Sequence, residues 1–330
     1  MKEMVKAMGL VDGIKAISEP ATKLIDAVSN AIGKAYEPRY RRRIADADAY
    51  RIKRIAEELR KNSDLPIVYN GSEPVIDISD YDELRKRAGY RLAYQEVSKQ
   101  ENIEAVVEKA FIELDGKELE SNDAISPEWM NRFVNMAGEI STEEMQNIWA
   151  KVLAGEVIRP SAYSMKTLEC LRNLSVKDAK LFGKIANYVI SEKMIYGDND
   201  LNQKYNISYT EMLALDDCGL INSSGMIVLE CKVHREPDRI FDFGKYILLA
   251  KSENERTFTL SQFPLTRAGR ELLAIARTKE IEDQYIADVV KSVKKVDSNV
   301  QFTLHKVINR TEDTIQYETK NTELSGKVVE

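Results

Sequence analysis

The chain has 330 residues, is 43% apolar and 31% charged, and carries a net charge of −6, a composition that supports a real core and excludes global disorder. Its three cysteines, Cys170, Cys218 and Cys231, are far apart and form no Cys-x-x-Cys pair, which excludes a disulfide framework and a thiolate zinc site and fits a reducing compartment. No window of eighteen residues lacks a charge, and the N-terminus leads into no uninterrupted apolar run, so neither a conventional membrane span nor a signal peptide is expected.

From Leu10 to Tyr36 apolar residues recur at steps of three and four, interrupted by Ser18-Glu19-Pro20. This spacing predicts two amphipathic helices, about 3–17 and 20–36, with Ser18 as cap and Pro20 in the first turn of the second. Arg39, Arg41, Arg42 and Arg43 then open a long polar helix to about Lys61, with a narrow stripe of Ile44, Ile52, Ile55 and Leu59. Residues 62–82 contain Pro66, Asn70-Gly71, Pro74 and the acidic cluster Asp77, Asp80 and Asp82, and read as a linker.

A helical region over about 82–114 ends at Asp115-Gly116. Ser126-Pro127-Glu128 starts a helix with Trp129, Phe133, Met136 and Ala137 inward, and Ser141-Thr142-Glu143-Glu144 starts another with Met145, Ile148, Trp149, Val152 and Leu153 inward. Ser164 caps a short helix carrying Leu168 and Leu171, and Ser175-Val176-Lys177-Asp178 is a capping box for a helix over Ala179–Ile190.

The last third changes character. A helix over Ser208–Cys218 is closed by Gly219 before Leu220-Ile221; strand-like runs follow at Met226–Val233, Phe243–Ala250 and Thr257–Phe263, and Thr266 starts a helix in Leu265-Thr266-Arg267-Ala268-Gly269. This order resembles a winged helix, with the strands as the wing. Val300–Ile308 and Thr314–Thr319 read as a hairpin. The expected fold is mainly α with a smaller α+β part. It divides into a helical arm (1–61), a linker (62–82), a helical domain (83–177), a winged-helix-like domain (178–280), and a C-terminal helix and hairpin with a frayed tail (281–330).

No catalytic, cofactor-binding or metal-ligating constellation emerges. His234 and His305 lack ligands at the right spacing and read as polar surface residues. No P-loop and no dinucleotide fingerprint is present. The cysteines and the two tryptophans read as packing residues. The acidic cluster, with Glu83, lacks the glycine and terminal bidentate Glu of a calcium loop.

The arm is the anomaly. Residues 1–61 hold 14 Lys and Arg against 9 Asp and Glu, a balance of +5, whereas 62–177 carry −8 and 178–330 carry −3. Leu10, Ile14, Ile17, Leu24, Ile25, Val28 and Ile32 form the candidate membrane or oligomer face. The arm lysines, Lys23 among them, together with Arg39, Arg41, Arg42 and Arg43, are the candidate anion contacts. Docking on the protein's own body or on a second subunit competes with a membrane surface for that face. The second helix of the winged-helix-like part carries Glu211, Asp216 and Asp217 and no Arg or Lys, so specific nucleic-acid reading through it is not expected.

One block resembles a known family. Trp149-Ala150-Lys151-Val152-Leu153-Ala154-Gly155-Glu156, then Pro160, Ser164, Thr167-Leu168, Leu171, Leu174-Ser175 and Asp178-Ala179, is similar to the shared block of the bacterial domain-of-unknown-function 2806 family. Pro20-Ala21-Thr22-Lys23-Leu24-Ile25, Ala31-Ile32-Gly33 and Tyr36-Glu37-Pro38 resemble that family's N-terminus. The Trp-Ala-x-x-Leu-Ala and Leu-Ser-x-x-Asp-Ala elements are more loosely similar to abortive-infection alpha proteins. The resemblance implies a bacterial cytoplasmic protein with a role in antiphage defence and brings no catalytic residues. The expected function is therefore non-enzymatic defence through protein-protein, oligomeric or peripheral inner-membrane contacts of the N-terminal arm, with the body sensing a phage protein or other partner. The alternative is a DNA-binding regulator using the winged-helix-like part.

Overall fold

The computed structural model describes residues 18–32, 57, 67–69, 74–76, 83–223, 227–311, 314–322 and 324. The expected helix over 3–17 lies outside them, as does that over 39–61 except for residue 57. The chain divides into two compact units, residues 1–168 and 169–330.

In the first unit, α1 (Glu19–Ile32) is the second predicted arm helix. The 62–82 segment is more than a linker: β1 (Ile67–Tyr69) pairs antiparallel with β2 (Pro74–Ile76), with Val68 opposite Val75. Then come α2 (Glu83–Glu113), α3 (Pro127–Ala137), α4 (Glu143–Ile158) and α5 (Met165–Asn173), within which the division between units falls. The Ser126 hydroxyl accepts the Trp129 N–H at the start of α3, with Pro127 where no helical N–H is needed. Trp129 stacks on Phe133 with centroids 5.1 Å apart, and Phe133 leans on Trp149 of α4 at 5.2 Å. The Trp129 indole N–H reaches the Tyr163 carbonyl at 2.7 Å. Both tryptophans are thus core residues, each burying the area that dominates a small helical core. The C-terminal half of α2 packs on α4 through Val106, Val107 and Ala110.

The second unit runs α6 (Val176–Ala186), β3 (Met194–Tyr196), α7 (Asn199–Lys204), α8 (Tyr209–Asp217), β4 (Ile227–Val233), β5 (Asp238–Asp242), β6 (Tyr246–Lys251), β7 (Arg256–Pro264), α9 (Arg267–Ala276), α10 (Asp283–Val293), β8 (Gln301–Arg310) and β9 (Ile315–Tyr317). Ser175 with Asp178 and Ser208 with Glu211 form reciprocal capping boxes at the starts of α6 and α8. One antiparallel sheet has the order β3-β7-β4. Helix, strand, two helices, then two paired strands with the first strand beside the last is a winged-helix order, in which β3 and α7 join the helix, helix and strands expected from the sequence. The wing itself differs from that reading. β4 pairs directly with β7, while β5 and β6 leave to join β8 and β9 in a second sheet of order β5-β6-β8-β9.

Residues 281–330 therefore do not form a separate part. Tyr285, Ile286, Val289, Phe302 and Leu304 share one buried cluster with Ile190, Cys231, Phe241, Leu248 and Phe258. Within the second unit three short elements carried too little periodicity to be read from sequence, β3, α7 and β5, as did β1 and β2 in the first.

A close crossing fixes the start of α9. Gly219 turns the chain with φ +74° after α8, and the Thr266 N–H then donates to the Leu220 carbonyl at 3.0 Å. The Thr266 hydroxyl points at the Gly219 and Leu220 carbonyls, 2.6 and 3.2 Å away, and accepts the Gly269 N–H. A Cβ on Gly269 would overlap the Leu220 carbonyl oxygen. The Leu-Thr-x-x-Gly pattern is thus a demand for backbone approach.

Candidate functional site

The outward surface of α8 is the first candidate, because it occupies the position from which a winged helix would read DNA. Its carboxylates are turned to structural use. Glu211 takes Lys184 at 2.7 Å and caps the Ser208 N–H, and Asp216 accepts the Ser223 N–H at 3.0 Å and its hydroxyl at 2.5 Å. Burial pushes the Glu211 carboxyl up, but the bonds from Lys184 and Ser208 outweigh it and hold it below the ordinary value. What remains exposed is Tyr209, Thr210, Leu213 and Asp217, with Leu213 41% accessible and Tyr209 leaning on Phe263. This surface is apolar and acidic, with no cation to meet phosphate.

A second candidate is a polar groove of about 650 Å³ at the strand ends, lined by Arg235, Lys251, Ser252, Glu253, Asn254, Arg256, Asn299 and Gln301. Arg235 Nε donates to the Glu253 carbonyl at 3.0 Å, and Arg256 lies 3.6 Å from Asp297. The cations are thus partly engaged by the groove's own walls.

The sequence-predicted face is placed differently from a free arm. Leu24, Ile25 and Val28 are buried where α1 packs on α3 and α4, and Ile32 is half-buried. Of the competing readings for these residues, docking on the protein's own body holds, since an apolar stripe on α1 finds apolar helices within the same unit. Lys23 also turns inward, donating to the Ser121 carbonyl at 3.0 Å. Burial lowers its pKa, opposed by Asp123, Glu156 and Glu19. Leu10, Ile14, Ile17, Arg39, Arg41, Arg42 and Arg43 lie outside the described residues.

The block that carried the family resemblance is a loop clamp. Glu156, only 1% exposed, accepts the Ser161 N–H at 2.7 Å and the Tyr163 N–H at 3.0 Å. Ser161 is held in the left-handed region at φ +68°, a conformation that charge-assisted bonds help to fix. Gly155 leaves room for the Tyr163 ring, which an added Cβ would meet at 2.8 Å. Ser164 and Thr167 hydrogen-bond at the start of α5. Residues 86–200 match the family model described as Protein of unknown function (DUF2806). The family likeness read from the sequence is thereby shown over that span. No curated protein and no solved structure matches the chain.

The DUF2806 span contains one thiol, Cys170, whose Sγ donates to the Cys218 carbonyl. Burial, with Cys218 beside it, pushes its pKa up to about 11, and burial does the same to Cys231. Such thiols stay protonated and are poor nucleophiles. His234 is exposed and bonded to Asp238 at 3.2 Å, as expected of a turn residue. His305 departs from its surface reading. It is 7% exposed in β8, an inner strand of the four-stranded sheet, with Nδ1 2.8 Å from the Glu318 carbonyl and Nε2 2.8 Å from Thr303 Oγ1. A carbonyl only accepts, so Nδ1 carries the proton, and in the neutral ring Nε2 accepts from the hydroxyl. Among the described residues no cluster of His, Cys, Asp or Glu could hold a metal ion, and no helix is long and apolar enough to cross a membrane.

One surface escaped the sequence reading altogether. The first five turns of α2 contain no buried residue from Leu84 to Ile103 among the described side chains, and Leu84, Tyr90, Leu92 and Tyr94 are exposed. The scatter of apolar residues around this helix masked their exposure.

Proposed function

We propose that this chain is a non-enzymatic bacterial antiphage defence protein of the abortive-infection kind, with α8 of its winged-helix-like unit docking protein rather than DNA. The observation that supports docking is the outward face of α8: Tyr209, Thr210, Leu213 and Asp217, with its other carboxylates spent on capping and ion pairing. Exposed aromatic and aliphatic groups without cations suit a protein partner and repel phosphate. The defence role rests on the sequence likeness in the Trp149-Ala150 and Leu174-Ser175 elements. Phage plating on cells with and without the gene tests it. Protection against part of a broad panel is expected, and equal plating throughout would sink the proposal. A Tyr209→Ala, Leu213→Glu double variant should keep its helical circular dichroism and lose protection. Full protection by that variant would remove α8 from the mechanism.

A second reading, DNA regulation, draws on the groove containing Arg235, Lys251 and Arg256. It requires salt-dependent duplex binding that weakens when Lys251 and Arg256 become Ala.

A further inference from the structure

We propose that the exposed N-terminal half of α2 is a binding stripe for single-stranded nucleic acid, made by Arg87, Tyr90, Arg91 and Tyr94. These four residues stand at i, i+3, i+4 and i+7, so they share one face over two helical turns, about 10 Å of axis. All four are exposed, Tyr90 by 52% and Tyr94 by 71%. Neither arginine has an ion pair among the described residues, and neither tyrosine ring has an aromatic partner there. Two turns beyond Tyr94 the stripe's register reaches Glu101; Glu96, closer in sequence, is held by Lys99 at 2.8 Å.

The chemistry selects the partner. Paired guanidinium groups one turn apart suit phosphate oxygens, which they bind in fork geometry. Exposed phenol rings beside them suit flat, unstacked bases, and duplexes keep their bases stacked away from such rings. A membrane surface fits less well. An interfacial helix buries an unbroken apolar face, whereas here Arg87 and Arg91 divide the tyrosines from the Leu84, Ala88, Leu92 row at i, i+4 and i+8. The surrounding sequence sharpens the contrast: residues 62–177 carry −8 overall, so this cationic stripe is a local exception.

The stripe goes beyond the defence proposal and stands on a different unit from α8. Its test is fluorescence anisotropy of the full chain with labelled 20-nucleotide single strands, with the same sequence as duplex, and with vesicles of phosphatidylserine and phosphatidylcholine. Single strands should bind best, with affinity falling as salt rises. Arg87→Ala with Arg91→Ala should weaken binding at least tenfold and reduce the logarithmic salt slope by about 1.4, the share of two phosphate contacts. Tyr90→Ala with Tyr94→Ala should weaken it at least tenfold without changing the slope, and the Phe versions should restore it. All substituted side chains are exposed, and unchanged circular dichroism confirms the fold. Preference for duplex or vesicles, or single-strand binding indifferent to both pairs, overturns the proposal. The α8 variant leaves α2 unchanged, so full protection by it with intact strand binding fails the α8 reading alone, and absent strand binding with lost protection in it fails the stripe alone.

Discussion

Gly269 shows how one missing Cβ can set a junction. Its backbone lies against the Leu220 carbonyl, where the chain leaves α8 and before it enters β4. Alanine favours a helix by up to about 1 kcal/mol over glycine, but here it must push a carbonyl aside. Gly269→Ala is expected to destabilise the chain by about 2–3 kcal/mol, the usual cost of overpacking. Chemical denaturation checks this, and a neutral or stabilising result would contradict the crossing. Glu156 works through charge instead. Its buried carboxylate accepts two backbone N–H groups of the loop before α5, of which that of Tyr163 is buried, so Glu156→Ala should cost about 1–3 kcal/mol by leaving that buried donor unmet.

At the scale of elements, the four-stranded sheet is pinned at one edge by Arg310 and Asp242. Arg310 places two nitrogens 2.7 and 2.8 Å from the Asp242 oxygens and a third contact on the Gly244 carbonyl. Burial pushes the Asp242 carboxyl up, but Arg310 and the Gly244 N–H outweigh it and leave the carboxyl below its ordinary range. A carboxylate with a depressed folded pKa adds stability above its unfolded pKa and loses it as pH falls through the folded value. Arg310→Ala is expected to lower stability by about 1 kcal/mol near neutrality, because the arginine is partly exposed. The gap from the unsubstituted chain should close in acid. A gap that persists unchanged below about pH 3, where ordinary carboxylates are protonated, would show that the pair acts through packing alone.

At the scale of the whole molecule, among the described residues one unit has a core around Trp129, Phe133 and Trp149 and the other a core around Tyr285, Phe241 and Phe302. Glu156→Ala should therefore move one thermal transition and Gly269→Ala another in calorimetry. A single transition shifted equally by both would show that the cores melt together.

By itself the sequence determined most helix starts, since capping is local. Ser126, Ser175, Ser208 and Thr266 each bond within three residues of themselves, and that information sits in adjacent letters. Gly219 likewise marked the end of α8 in the sequence, whereas the close approach at Gly269 came only with the structure. The winged-helix order and the closing hairpin followed from the same local pattern.

Other features are decided only by partners far along the chain. The stripe of Leu24, Ile25 and Val28 would suit a membrane, another subunit or the protein's own body, and only the packing of α1 on α3 and α4 resolves these. His305 looked superficial because its strand alternates, yet Glu318 and Thr303 enclose it. The wing divided because β6 found β8 rather than β7. The apolar tyrosines of α2 gave no hint of exposure, since periodicity reports which residues share a face and not what covers it. Local bonding is written in neighbouring residues, whereas burial depends on long-range contacts that no short window contains.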